Sequence, residues 1–133
     1  MEHAPQPVDV TDPALLFRIN KLFREGMSDE ELYEATRGIW RVGKKLKKKD
    51  ILAMAVYKGV IKAVYKIKSW ESAETAHFDN PVLAELAKQK RNRWAFVGKV
   101  APEPEHSRYI NCSVAHLFRQ GMAAPVLGIN LDD

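Results

Sequence analysis

The sequence has a single cysteine, Cys112, and only seven glycines and seven prolines in 133 residues. One cysteine cannot form an intramolecular disulfide, and the chain begins without the basic and apolar segments of a secretory signal. No apolar run approaches the ~18–20 residues that a transmembrane helix needs. We therefore expect a cytoplasmic protein that is neither secreted nor inserted in a membrane.

The residue patterns of common catalytic and metal centres are also missing. The four histidines, at positions 3, 77, 106 and 116, include no pair at zinc-ligand spacing. The chain has no glycine-rich dinucleotide fingerprint and no P-loop, and no two carboxylates stand out as an acid and base pair. Cys112 has no nucleophile signature around it, which favours a small packing residue. The sequence thus predicts no metal, no cofactor and no catalytic residue.

Positive charge is in excess and is unevenly distributed. Twenty-one Lys and Arg residues face seventeen Asp and Glu residues, which gives a formal net charge of +4. Residues 44–49 carry five lysines, and residues 88–93 carry four further basic side chains. Such clusters attract phosphate groups, although a solvated loop is an equally ordinary interpretation of residues 44–49. The charge pattern indicates an anionic partner.

The first part of the chain reads as a tail followed by helices. Residues 1–11 show no periodic pattern and predict a flexible tail, which leaves residues 12–133 as a single α+β ligand-binding domain. Asp12 as an N-cap, Pro13 after it and apolar residues at helical spacing predict a first helix that ends at Gly26. A capping-box pattern beginning at Ser28 predicts a second helix that ends near Arg37.

Beyond residue 50 the pattern changes to strands. A period of two on both sides of Lys58-Gly59 predicts a β-hairpin of residues 50–57 and 60–70, whose second strand has one apolar face and one exposed basic face. The later patterns predict a helix at 80–90, a strand at 93–100, a short helix at 113–119 and a strand at 125–131. Because regular βαβ alternation is absent, an α+β fold with an antiparallel sheet is favoured.

Candidate ligand-binding residues come from arginines placed beside aromatic rings. Arg37 precedes Trp40, and a basic segment precedes Trp94 and Phe96. A guanidinium group can bind phosphate through two hydrogen bonds, and a Trp or Phe ring can stack on a base. The alternative is that these aromatic residues are simply core residues.

The C-terminal part of the chain adds polar donors to this set. Arg108, Ser113 and Arg119 could donate to a ligand, and the amide of Asn130 could contact the edge of a base. The predicted site therefore consists of Arg37, Trp40, Trp94, Phe96, Arg108, Ser113, Arg119 and Asn130.

A family resemblance points in the same direction. Its motifs are Ala35-Thr36-Arg37-Gly38 with Trp40, Ala55-Val56-Tyr57, Gly59-Val60-Ile61, Val64-Tyr65, Arg93-Trp94-Ala95-Phe96-Val97-Gly98, Ser113-Val114, Phe118 and Pro125. Over residues 14–131 this succession resembles a family of small bacterial and phage proteins that includes the Thoeris anti-defence proteins, which sequester a cyclic ADP-ribose signal. Asn111-Cys112 and Ala124 depart from the family pattern.

The resemblance implies a phage anti-defence protein of the host cytoplasm. Such a sponge protein is a homo-oligomer that binds a cyclic nucleotide immune signal between subunits without cleaving it. The signal would be a cyclic ADP-ribose isomer or a small cyclic oligonucleotide. The matching contact positions would be Arg37, Trp94, Phe96 and residues 108–130.

Two other functions remain open. The lysines of residues 44–49, the basic hairpin face and a pI of about 9.2 would suit a nucleic-acid-binding module, such as a small β-barrel that reads modified bases. A nuclease or nucleotide hydrolase would need Arg37, His116 and glutamates to be brought together by folding, which residue content alone does not indicate.

Overall fold

The computed structural model describes residues 4–118 and 124–131 and confirms the α+β class. The helices of this part of the chain are α1 (Asp29–Arg37), α2 (Pro81–Gln89), α3 (Glu105–Tyr109) and a 3₁₀ helix (Ala115–Leu117). The strands are β1 (Ala14–Arg18), β2 (Leu52–Tyr57), β3 (Val60–Ser72), β4 (Trp94–Val100) and β5 (Val126–Ile129). None of the helices in these ranges has the length and apolar character needed to cross a membrane.

The strands form one mixed sheet in the order β4-β3-β2-β1-β5. Strands β1 and β2 are parallel, and the other neighbouring pairs are antiparallel. The prediction of a purely antiparallel sheet is therefore wrong for the β1–β2 pair. Parallel neighbours need a long crossover connection, and here the segment that contains α1 supplies it.

The predicted first helix is wrong, because its N-terminal part is β1, an inner strand of the sheet between β2 and β5. Leu15 and Phe17 face one hydrophobic core, whereas Ala14 and Leu16 face another on the opposite side of the sheet. A strand buried on both faces has a continuous apolar run instead of alternation. The run from Ala14 to Phe17 fits that pattern, and its spacing is equally compatible with a helix.

The second predicted helix is confirmed as α1. The Ser28 side chain accepts a hydrogen bond from Glu31 N at 3.1 Å, and the Glu31 carboxylate accepts one from Ser28 N at 3.1 Å. The backbone hydrogen bond of Ser28 and the ion pair with Arg24 lower the pKa of Glu31. The helix ends at Gly38, whose φ of 39° suits glycine.

The hairpin, the helix at residue 80 and the last two strands are confirmed, with small differences in their bounds. β2 and β3 are antiparallel on either side of Lys58-Gly59. Asn80 accepts hydrogen bonds from Val82 N and Leu83 N and so caps α2. The helix predicted at 113–119 is reduced, among its described residues, to the 3₁₀ helix (Ala115–Leu117).

Both faces of the sheet are covered, which corrects the expectation of an exposed basic face on β3. A β-bulge shifts the register between Ala55 and Val56, so that Ile61 and Val64 belong to the second core. The first core contains Phe17, Trp40, Tyr65 and Phe96, and the second contains Leu16, Met54 and Tyr109. Of the β3 lysines, Lys62 and Lys66 are half-buried and Lys68 is exposed.

The described part of the predicted tail contacts the domain. Val8 N donates to Ser113 O at 3.0 Å, and Ser113 N donates to Gln6 O at 2.8 Å. Thr11 N donates to the hydroxyl of Tyr109 at 3.1 Å. These bonds attach residues 6–11 to the domain beside α3. The flexibility of the tail stays a prediction.

Candidate functional site

A cleft of about 1030 Å³ lies between α1, the outer edge of β4 and the loop that follows β3. Ligand pockets for small molecules usually occupy about 300–1,000 Å³, so this cleft is large enough for a nucleotide. Its walls combine Tyr33 and Tyr65, residues 97–100 of β4 and several charged residues. The cleft is therefore the candidate functional site.

Side chains of α1 cover the outer edge of β4 and form one wall of the cleft. The Tyr33 hydroxyl accepts a hydrogen bond from Gly98 N at 2.9 Å, and Arg37 Nε donates to Phe96 O at 3.1 Å. At the start of β4, Trp94 and Trp40 exchange two backbone hydrogen bonds of 2.8 and 2.9 Å. The contacts hold α1 against the sheet and fix the width of the cleft.

The guanidinium group of Arg37 forms the inner end of the cleft. In addition to Phe96 O, it donates to His77 O at 3.1 Å and to the Glu71 carboxylate at 2.8 Å. Its Cζ lies 5.2 Å from the centre of the Phe78 ring. Arg37 is only 7% exposed. Its contacts join α1, β4 and the loop after β3.

Two tyrosines give the cleft its aromatic wall. Tyr33 and Tyr65 meet edge to face with ring centroids 5.2 Å apart, and Phe96 lies 6.0 Å from Tyr33 beneath them. Burial, together with the charge of Asp29, raises the pKa of the Tyr65 hydroxyl. Tyr33 is half-buried and presents part of its ring to the cleft.

Carboxylates surround this aromatic wall. Glu34 accepts hydrogen bonds from Asp79 N at 2.5 Å and Asn80 N at 2.9 Å, which fixes the loop before α2. His77 and Asp79 are paired at 2.7 Å at the rim. Carboxylates of this kind can accept hydrogen bonds from the amino groups of bases. The carboxylates that line the cleft are Asp29, Glu30, Glu34, Glu71 and Asp79.

Lysines lie on the strand side of the same cleft. Lys62 belongs to β3 and Lys99 to β4, and both line the cavity. Lys99 is exposed, and Val100 beside it is 63% exposed. The cleft thus offers hydrogen-bond acceptors on its helix and loop side and cations on its strand side.

Of the eight residues predicted from the sequence, Arg37 lines the cleft. Trp40 and Phe96 are 7% and 0% exposed and pack on Phe17, with ring centroids 5.0 and 5.5 Å from it. The Phe96 ring has no face open to a ligand, so the core interpretation holds for it. Trp94 is half-buried and lies outside the cleft, and Lys47 Nζ lies 3.3 Å from the centre of its ring.

Three of the predicted C-terminal residues, Arg108, Ser113 and Asn130, do not line the cleft. Arg108 is paired with Asp12 at 2.8 Å, and the Ser113 hydroxyl accepts a hydrogen bond from Ala115 N at 3.3 Å. Asn130 donates to Val10 O at 2.7 Å. These contacts are made within the protein. Arg119 lies outside the described residues.

The cleft also contains four residues that were not predicted from the sequence, namely Tyr33, Tyr65, Lys62 and Lys99. Tyr33 could have been found, because it precedes Arg37 by four residues and therefore shares a helix face with it. The two lysines could not, because the bulge and the β3–β4 register determine where they lie.

Comparisons with protein-family models, with curated proteins and with solved structures found no match to this chain.

Proposed function

We propose that the protein binds a nucleotide-like anion in the cleft between α1 and β4 and releases it unchanged. The observation that carries this proposal is the combination of a half-buried tyrosine, carboxylate acceptors and lysines around one cavity of about 1030 Å³. A nucleotide presents the complementary groups, namely an aromatic base, amino donors and phosphates.

The chemistry of the walls suggests how such a ligand would lie. The base would contact the exposed part of the Tyr33 ring, and its amino groups would donate to carboxylates such as Glu71. The phosphates would extend toward Lys99, where the cleft opens. Arg37 already donates to three acceptors, so its main part is to hold the cleft in shape.

The family resemblance supplies the first ligands to test. We propose a cyclic ADP-ribose isomer, or a small cyclic oligonucleotide, held by a cytoplasmic homo-oligomer that withdraws an immune signal. The cleft supports this assignment through its size and its mixture of cations and acceptors. Each subunit of the oligomer would carry such a cleft.

Calorimetry at about 0.1 mM protein tests the proposal, because it detects binding down to weak micromolar affinity. The titrants are cyclic ADP-ribose isomers and cyclic dinucleotides, and the ligand recovered afterwards is examined by chromatography. We expect binding with the ligand intact. Absence of heat with every titrant would overturn the proposal, and recovery of a cleaved ligand would replace binding with hydrolysis.

A matched pair of substitutions locates the site. Val100 lines the cleft and is 63% exposed, whereas Val82 on α2 is 65% exposed and does not line it. Val100→Asp places a negative charge beside the proposed phosphates and should weaken binding about tenfold, equivalent to ~1.4 kcal/mol. Val82→Asp should bind as the wild type does. Equal affinities of the two variants would show that the ligand lies elsewhere.

A nucleic-acid-binding module is the second candidate function. The specific observation in its favour is that the basic residues 44–49 contact the start of β4, where Lys47 covers the ring of Trp94. This contact brings the two basic segments of the sequence together on the surface. Binding to single-stranded or duplex oligonucleotides that weakens steeply with salt and increases with chain length would favour this function. Binding that ignores both would exclude it.

A further inference from the structure

The register of β3 and β4 places Lys66 directly opposite Lys99. Residues in such pairs lie on the same face of the sheet, with Cβ atoms ~4.5–5.5 Å apart. Lys66 is half-buried and Lys99 is exposed, so both ammonium groups can reach solvent. Like charges directly opposite each other destabilise a sheet. This pair is thus an unfavourable feature of the protein alone.

The strand geometry keeps the two lysines together. Just before Lys99, a Cβ atom added to Gly98 would lie 2.3 Å from Lys66 O, so the strands approach unusually closely at this point. The register shift between Ile67 and Ser69 follows immediately. Neither lysine can therefore move away from the other by a change of backbone position.

No carboxylate neutralises the pair within the described ranges 4–118 and 124–131, where neither lysine forms an ion pair. The carboxylate of Glu103, just before α3, instead accepts hydrogen bonds from the backbone N–H and the hydroxyl of Ser107. An anion from outside the chain would remove the repulsion.

We propose that Lys66 and Lys99 form a binding site for two adjacent phosphates, such as the diphosphate group of a nucleotide. The cross-strand register brings two ammonium groups to one face of the sheet, where they can meet two neighbouring negative charges, whereas one phosphate would leave part of the repulsion in place. Lys99 also lines the cleft, which connects this site with the proposed nucleoside site. That connection, unlike the lysine pair itself, rests on the proposed function.

Inorganic pyrophosphate is the probe, because it needs no contribution from the cleft. Its affinity is measured by calorimetry at constant ionic strength and compared with that of orthophosphate, in the wild type and in the Lys66→Ala/Lys99→Ala double variant. We expect pyrophosphate to bind the wild type at least tenfold more tightly than orthophosphate, and the double variant to lose this preference. The ligand-free double variant should melt no lower than the wild type, because the substitutions relieve repulsion.

Two controls separate this site from general attraction to positive charge. Lys68 is exposed on the same strand but lies in the register shift without a partner on β4, so Lys68→Ala should keep the preference for pyrophosphate. Lys66→Arg/Lys99→Arg should also keep it. Equal loss in Lys68→Ala and in the double variant would overturn the proposal, as would equal affinity for the two anions.

Adenosine and ADP distinguish a failure of this inference from a failure of the proposed function. Adenosine that binds equally to the wild type and the double variant, without a gain for ADP, would leave the cleft proposal standing and overturn the diphosphate site. Pyrophosphate binding through the lysine pair, with no further gain in affinity for ADP or a cyclic nucleotide, would support the diphosphate site and overturn the cleft proposal. Binding only to long oligonucleotides would overturn the diphosphate site in favour of a nucleic-acid strand.

Discussion

Replacement of Arg37 by alanine separates a structural guanidinium from a ligand contact. Arg37 donates to Phe96 O, to His77 O and to the Glu71 carboxylate, and it is 7% exposed. Its removal leaves three acceptors without these donors. The Phe96 carbonyl should lose the most, because Phe96 is fully buried and water cannot replace the lost donor.

The cost can be worked out from these contacts. A buried polar group that loses its partner costs about 1–3 kcal/mol, and breaking a fully buried ion pair costs about 3–5 kcal/mol. The Glu71 side chain is 35% exposed, and water can solvate it after the loss of Arg37. We therefore expect Arg37→Ala to lower the free energy of unfolding by about 2–4 kcal/mol.

Urea unfolding followed by circular dichroism measures this change. With an m-value of roughly 2 kcal/mol/M, the midpoint should fall by about 1–2 M. Glu71→Gln is the matched control, because it removes the charge of one acceptor and leaves the two carbonyl contacts, so its cost should stay below about 1 kcal/mol. A loss below about 1 kcal/mol for Arg37→Ala, with ligand binding abolished, would refute the structural role and make Arg37 a direct ligand contact.

Three further predictions concern other parts of the fold. Gly98→Ala should lower the free energy of unfolding by about 1–3 kcal/mol, because the new Cβ would meet Lys66 O at 2.3 Å, whereas Gly43→Ala, with nothing within 4 Å, should change little in the same urea assay. Tyr109→Phe should cost about 1–3 kcal/mol, since its buried hydroxyl bonds Asp12; unchanged thermal unfolding would contradict this. The lowered pKa of Glu31 stabilises the fold above its ordinary value of 4.5, and the gain is lost as the pH falls through the folded-state pKa. The difference in urea midpoint between wild type and Glu31→Gln should therefore be smaller at pH 3 than at pH 7. The same difference at both pH values would count against the effect.

Local signals predicted those elements whose ends are determined by short-range chemistry. Ser28 with Glu31, Lys58-Gly59 and Asn80 each fix an element through a cap or a turn, and each is where the sequence placed it. The run from Ala14 to Phe17 predicts a helix instead of a strand, because burial on both faces removes the alternation that identifies a strand. Periodicity alone cannot separate such a strand from a helix.

The candidate site was less predictable than the fold because it depends on non-local pairing. Arg37 was identified from its residue type, but its three partners are 34 to 59 positions away in the chain. The positions of Lys66 and Lys99 opposite each other follow from the β3–β4 register, which shifts between Ile67 and Ser69. No pattern within either strand indicates that register.

The cover of β4 by α1 also limits how copies of this protein can associate. An uncovered edge strand offers its backbone groups to a strand of another molecule, which is a common route to dimers and to aggregates. Here the Tyr33 hydroxyl, the Arg37 guanidinium and the Trp40 backbone already bind that edge at Gly98, Phe96 and Trp94. A homo-oligomer of this chain would therefore have to assemble through another surface, and substitutions that detach α1 should produce intermolecular β-sheet before they produce an unfolded monomer.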